Sequence, residues 1–382
     1  MAKIKEYRKK DGSVAYQFQV YVGIDPVTGK RIRTTRRGLP SQKIAELELA
    51  KINLAIADGT FKITAPADTF EDVSELWLPN YRETVEEVTY CSTVSYLKLH
   101  ILPAFGDKKI DKINVAFCQQ TVNEWYKTMP KSFKRYVNYV SKIFDFAISM
   151  EITETNPMDK VIIPNVKEKK SKYGFYAKKE LKHFLELVHE FDPDMRYAFF
   201  RLLAYSGMRK GEAYALTWED IDFKKNIIDI NKSLSRGENN TLYVSPPKNK
   251  SSIRKISMDK VTMNILKNWK IKQLEYFLIL GKHPKKKDQI VFATEENSYY
   301  HPTIDNHWRK SIYKLDPTFK KIRTHDLRHT HCSLLFEAGV SPVEVKDRLG
   351  HADITTTMNI YAHVTEARRD ETADKFEAFM EG

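Results

Sequence analysis

Thr324-His325-Asp326-Leu327-Arg328-His329-Thr330 decides how this chain is read, together with Arg348-Leu349-Gly350-His351 and Thr356-Thr357-Met358-Asn359-Ile360-Tyr361-Ala362-His363 downstream. Far upstream stands Ser206-Gly207-Met208-Arg209-Lys210-Gly211-Glu212. In chain order these boxes supply two arginines, two histidines and a tyrosine that follows His351 by ten residues. Two guanidinium groups can grip the non-bridging oxygens of a phosphate in bidentate pairs. Histidines move or share protons near neutral pH. A tyrosine hydroxyl can attack phosphorus and hold it covalently. The residue types therefore point to metal-free displacement at a DNA phosphate.

The rest of the chain agrees with a polyanionic partner. Its 382 residues suggest two or three domains. Hydrophobic residues are 42% and charged residues 30%, which suits folded cores and excludes wholesale disorder. The net charge is +13 and the pI about 9.3, a bias that favours nucleic acid. Residues 1–62 alone hold 13 Lys+Arg against 6 Asp+Glu, so a separate DNA contact is expected there. Cys91, Cys118 and Cys332 are far apart, which argues for a reducing compartment and against a disulfide framework. The charged start of the chain lacks a secretion signal, and no apolar run approaches the ~18 residues of a membrane span. A cytoplasmic, DNA-associated protein with no membrane partner is the expectation.

The fold class read from the pattern is multidomain α+β. In residues 1–62, Val14, Tyr16, Phe18 and Val20 alternate with Ala15, Gln17 and Gln19, predicting a half-buried strand. A turn at Asp25–Gly29 leads to a return strand, Lys30–Thr34, with a basic outer face. Arg31, Arg33, Arg36 and Arg37 are the candidate DNA contacts of this module. Ser41 caps a helix running to about Ala57. Residues 63–68 read as a linker. Residues 69–165 read as an all-helical unit, opened by Thr69 and Asp72 in a capping box. Its further helices are expected over Ser92–Leu102, stopping at Pro103, then Val115–Tyr126 and Ser132–Met150, before Asn156-Pro157 closes the unit. The charged stretch Lys167–Lys172 reads as a second linker. Residues 173–382 form the third domain, mainly helical, with strands at Ile227–Ile230, Leu242–Val244 and Arg254–Met258.

With these boxes in order, the last ~200 residues resemble the catalytic domain of tyrosine recombinases, the phage-integrase family. Ile101-Leu102-Pro103-Ala104-Phe105-Gly106-Asp107 and its helical surroundings resemble that family's core-binding domain. Residues 1–62 resemble the arm-site-binding domain of integrases from phages and conjugative transposons, which implies a small three-stranded sheet plus helix. The resemblance implies that Arg209 and Arg328 clamp the scissile phosphate, that Tyr361 is the nucleophile, and that Glu212 orients the arginines. It implies that His325 assists proton transfer or hydrogen-bonds the phosphate and that His351 adds a further hydrogen bond. The family's catalytic lysine sits in a β-hairpin and protonates the departing 5′-oxygen. Two lysines qualify here, Lys248 and Lys250, and the family's Pro-Lys-Thr pattern favours Lys248 although Asn249 replaces the threonine. His329, His331 and His363 are read as structural.

The implied activity is site-specific recombination through a 3′-phosphotyrosyl intermediate, integrating and excising a mobile element or prophage. Neither ATP nor any other cofactor is implied. No metal is expected either: no paired cysteines or His-Glu-x-x-His box is present, and His325, His329 and Tyr361 are not at zinc-ligand spacing. The implied partners are double-stranded DNA at core and arm sites, a homo-tetramer of this chain, and an excisionase or DNA-bending protein. Two rivals are disfavoured, one by the separate basic N-terminal module and the other by the intact set of Arg209, His325, Arg328, His351 and Tyr361. A type IB-like topoisomerase shares the residues but rejoins the same strand. A DNA-binding regulator would have lost catalysis. Finally, Thr365–Gly382 reads as an amphipathic helix with Ala373, Phe376, Phe379 and Met380 on one face. It either folds back on its own domain or, by resemblance, docks onto a neighbouring subunit.

Overall fold

The computed structural model describes residues 3–9, 13–24, 31–58, 69–165, 174–247, 249–283, 289–366, 377 and 380–381. It divides into two compact units, Met1–Glu86 with Ser92–Val166 and Glu87–Cys91 with Lys167–Gly382. Both expected linkers, Lys248, and Ala373, Phe376 and Phe379 of the expected tail helix lie outside the described residues.

At the N-terminus, β1 (Lys5–Arg8), β2 (Val14–Ile24) and β3 (Arg31–Leu39) form an antiparallel sheet in the order β1-β2-β3. Helix α1 (Gln42–Ala57) follows, its first turn closed by the Ser41 hydroxyl accepting from the Ile44 N–H. Phe18 and Val20 of β2 and Ala45 and Ile52 of α1 make one buried cluster, with Tyr16 packed against it. The expected alternation fails at one end: Val14 is 43% exposed and Ala15 is buried. The cause is a slip in register, since Tyr16 pairs with Leu39 but Phe18 with Arg36. The extra β3 residue is absorbed at Gly38, with φ of +80°. A bulge re-aims the side chains around it, so a period-two pattern cannot be carried across. Arg31, Arg33, Arg36 and Arg37 are all exposed.

The helical segment begins with α2 (Phe70–Arg82), whose capping box forms as read: Thr69 and Asp72 exchange side chain to backbone bonds of 2.9 and 3.1 Å. Next come α3 (Glu87–Tyr96), a π-helical turn at Leu97–Ile101, and α4 (Leu102–Phe105). The expected helix over Ser92–Leu102 thus starts earlier and does not stop at Pro103. In a regular helix the proline ring would strike the Leu99 carbonyl. The wider turn, in which the Leu102 N–H donates to the Leu97 carbonyl, makes room and lets the helix continue. Helices α5 (Val115–Thr128) and α6 (Phe133–Ser149) complete the bundle. Val137, Val140, Ile143, Phe144 and Ala147 bury one face of α6, as spaced in the sequence. The Asn156 amide then donates to Asp145 Oδ1 at 2.7 Å and Ser141 Oγ at 2.9 Å, tying the chain back onto α6.

The second unit carries α7 (Lys178–Phe191), α8 (Met195–Ser206), α9 (Lys210–Ala215), β4 (Ile221–Asp222), β5 (Ile227–Ile230), β6 (Ser233–Arg236), β7 (Leu242–Ser245) and β8 (Arg254–Ser257). Helices α10 (Lys260–Ile279), α11 (Ile304–Ile312), α12 (Asp326–Glu337), α13 (Pro342–Leu349) and α14 (Ile354–Glu366) follow. Phe199, Phe200, Tyr214, Phe292 and Trp308 lie in its main core. Among the described residues, β7 pairs with β6, and β8 pairs with β5 in the sheet β4-β5-β8. The strands on either side of the expected catalytic-lysine segment, β7 and β8, thus belong to different ladders. Two facts explain the pairing. Asn239 and Asn240, at φ of +53° and +62°, turn β6 directly into β7. Ile228, Ile230 and Ile256 are buried, which draws β8 to β5. No helix among the described residues is long and apolar enough to cross a membrane.

Candidate active site

Two helix ends build the site. Helix α8 stops at Gly207, φ +66°, and α13 stops at Gly350, φ +69°. Both residues occupy the left-handed region that ends helices and that glycine enters without strain. A Cβ on Gly207 would also lie 2.5 Å from Leu349 Cδ2 and 2.6 Å from His331 Cδ2. A Cβ on Gly350 would lie 2.8 Å from the Ser251 carbonyl oxygen. The glycines of the first and third boxes are thus required by conformation and by close packing.

Arg328 comes from the first turn of α12 and is only 4% exposed. Its Nη1 donates to the Gly207 carbonyl at 2.8 Å and its Nη2 to the Leu349 carbonyl at 2.7 Å. The buried cation therefore rests on the negative poles of two helices. Burial, and then the charge of Arg209, lower its pKa to about 9, so it remains a cation at neutral pH.

Arg209 immediately precedes α9. Its backbone N–H donates to Glu212 Oε2 at 2.8 Å and its Nη1 to Glu212 Oε1 at 2.9 Å. Its side chain is 39% exposed, whereas the Glu212 side chain is 2% exposed. Burial works to raise the Glu212 pKa, but bonds from Arg254 and Arg209 hold it below the usual glutamate value. Glu212 thus hydrogen-bonds Arg209 and Arg254, and acts on Arg328 only through its charge. Arg254, on β8, donates from Nη2 to Glu212 Oε2 at 2.9 Å, from Nη1 to Oε1 at 3.2 Å, and from Nε to the Arg348 carbonyl at 2.8 Å. The sequence reading did not assign Arg254 to the site. The signal was present: Arg254 shares the inward parity of buried Ile256 on β8.

The histidines divide by role. His331 is buried, and its Nδ1 lies 2.9 Å from the Ala204 carbonyl, which can only accept. Nδ1 therefore carries the proton, and Nε2 accepts from Arg348 Nε at 3.0 Å. This histidine is a fixed structural tie, as read. His351 Nδ1 is 2.8 Å from Thr357 Oγ1 at the start of α14. Burial, then the charges of Arg328 and Arg209, push its pKa down to about 3. His325 keeps an exposed edge and stands edge-on to His329, centroids 5.3 Å apart. Burial, then His329 and Arg328, push it down to about 4. Both are neutral at pH 7, and a phosphate anion between the arginines would raise both. The Arg209 charge acts on His325, Arg328 and His351, so the structure brings these four together.

Tyr361 lies on α14, half-buried, with its ring edge-on to Phe336 of α12 at 5.0 Å. It packs on the cluster of Cys332, Phe336, Val345, Leu349 and Ile360. Leu349, whose carbonyl holds Arg328, thus also belongs to the bed that supports Tyr361. The Lys250 and His363 side chains lie outside the described residues. Among the described residues no three His, Cys, Asp or Glu side chains group as metal ligands would.

Comparison with known proteins gives three family matches along the chain. A family model described as Phage integrase family matches residues 175–368. Models described as Phage integrase, N-terminal SAM-like domain, and Arm DNA-binding domain match residues 69–126 and 4–56. The chain is 30% identical to the ICEBs1 integrase of Bacillus subtilis over 97% of this chain and 99% of that one. It is 27% identical to the integrase of Staphylococcus phage L54a over 71% of this chain and 81% of the relative. Among solved structures, the Tn1549 transposon integrase in complex with a circular intermediate DNA aligns with a TM-score of 0.65 at 20% identity, over 82% of this chain and 99% of that one. A lambda integrase tetramer bound to a Holliday junction aligns at 0.56 and 16% identity, over 93% and 94%.

Proposed function

The chain belongs to the phage integrase family of tyrosine recombinases, and we propose that Tyr361, Arg209, Arg328, His325 and His351 perform its strand cleavage. It is a site-specific recombinase that acts on double-stranded DNA. In our reading the Tyr361 hydroxyl attacks the scissile phosphorus and forms a tyrosyl-oxygen to phosphorus bond. The bond to the 5′-oxygen breaks, leaving a 3′-phosphotyrosine and a 5′-hydroxyl. The tyrosine proton passes toward His325, whose basicity rises as the phosphate offsets the arginine charges. Lys248, or else Lys250, supplies the proton to the departing 5′-oxygen. Arg209 and Arg328 stabilise the charge that builds on the non-bridging oxygens. A 5′-hydroxyl from a second duplex then attacks the phosphotyrosine, so the bond energy is kept and no ATP is consumed.

The observation that carries this reading is the setting of Arg328. Its fork is fixed by two main-chain carbonyls, and the charges of Arg209 and Arg328 both act on His325 and on His351. The domain roles follow from the same reading. Residues 1–62 bind arm sites through Arg31, Arg33, Arg36 and Arg37, residues 69–165 bind the core site, and residues 173–382 carry the chemistry. A tetramer on two duplexes, helped by an excisionase or a DNA-bending protein, completes the exchange at the attachment sites of a mobile element. Tyr361→Phe tests the central claim: it should bind a nicked suicide duplex and give no covalent adduct on a denaturing gel. An adduct formed by the variant would remove Tyr361 from this role.

A further inference from the structure

We infer that Arg254 is a positioning residue that absorbs the charge of Glu212, leaving the Arg209 cation available to the DNA phosphate. This inference rests on the phosphate-clamp reading above. Glu212 is one buried carboxylate facing two guanidinium groups. Its two oxygens accept four bonds, two from Arg254 and two from Arg209, one of the latter from backbone. The two arginines are not equivalent. The Arg254 side chain is 7% exposed and the Arg209 side chain 39%, so a ligand approaching from solvent reaches Arg209.

The charge balance then matters. With Arg254 present, one negative and two positive charges meet at Glu212, and a positive charge remains. Arg328 adds another, because its acceptors are neutral carbonyls. Without Arg254, the buried carboxylate would be neutralised by Arg209 alone, and the field offered to the phosphate would fall by one unit. The remaining Arg254 bonds give it a second reach. Nε holds the Arg348 carbonyl, and Cδ is 3.1 Å from where a Gly350 Cβ would stand, so Arg254 also abuts the segment that presents His351.

The test compares cleavage of two nicked duplexes, one with an ordinary scissile phosphodiester and one with an uncharged methylphosphonate there. Arg254→Gln should slow the phosphodiester about 10²-fold, the loss typical of one transition-state charge contact, and change the methylphosphonate little. Glu212→Gln added to Arg254→Gln should recover at least about tenfold, because no carboxylate is left to neutralise Arg209. Arg254→Lys, which keeps the counter-charge and drops the Nε bond, should retain most of the cleavage and covers the case that the glutamine variant does not fold. Equal losses on both substrates, no recovery in the double variant, or a lysine variant as slow as the glutamine one would overturn the inference. Arg209→Ala is the reference. If its defect is the same on both substrates, the phosphate-clamp reading itself falls, and the inference with it; if only Arg254→Gln ignores substrate charge, the inference alone falls.

Discussion

Gly207 gives a prediction whose size can be worked out from its surroundings. Replacement by alanine forces an L-residue into the left-handed region, at a cost of ~1–2 kcal/mol. It also drives a methyl group to 2.5 Å from Leu349 Cδ2 and 2.6 Å from His331 Cδ2, neither of which can retreat freely. Leu349 is buried, and His331 is tied to the Ala204 carbonyl and to Arg348. Overpacking of this kind adds ~1–3 kcal/mol, giving about 2–5 kcal/mol in all. Gly339 is the internal control. Its φ is +84° and nothing lies within 4 Å of its would-be Cβ, so Gly339→Ala should lose only the conformational ~1–2 kcal/mol. Urea denaturation followed by tryptophan fluorescence measures both variants. The Gly207 carbonyl also holds Arg328, so Gly207→Ala should slow suicide-substrate cleavage at least ~10-fold and Gly339→Ala should not. Equal stability losses in the two variants, or normal cleavage by Gly207→Ala, would refute the packing argument.

Other outcomes follow from the site. Arg209→Lys should cleave ~10²–10³-fold more slowly, because an ammonium cannot fork across two phosphate oxygens, and near-normal rates would contradict bidentate gripping. His331 is held neutral when folded, its pKa pushed by burial, then by Arg348, down to about 3, whereas the unfolded chain binds that proton near ~6.5. Its stabilisation is complete above that value and is lost as pH falls toward 3, at up to ~1.4 kcal/mol per pH unit. Comparing urea midpoints of wild type and His331→Gln between pH 7 and 5 checks this; the variant should be less acid-sensitive, and parallel curves would refute it. Replacing Arg31, Arg33, Arg36 and Arg37 by alanine should erase a distal footprint and preserve the core-site footprint; unchanged footprints would assign the exposed arginines elsewhere.

What the sequence made legible were features whose cause is local. The capping box at Thr69 and Asp72 and the Ser41 cap depend on residues three apart, and both form as read. The arginine boxes were legible because their chemistry needs specific side chains. Three features escaped because their causes lie across the fold. The bulge at Gly38 is set by how β3 pairs with β2, not by either strand alone. The π-helical turn before Pro103 answers a clash that a stop at proline would equally have resolved. Arg254 looked like one basic residue among several until Glu212, 42 positions away in sequence, was seen to meet its fork.

The seat of Arg328 also bears on how such a chain tolerates mutation. Its two acceptors are main-chain carbonyls, and no side-chain substitution at Gly207 or Leu349 can delete a carbonyl. A side-chain change can therefore reach the clamp only by moving the backbone path that carries these carbonyls. Fragility is concentrated instead in the two left-handed glycines and in the His331–Arg348 tie behind them. Directed evolution toward new DNA targets therefore has almost no freedom at these few positions, whose part is to hold the backbone path of the clamp.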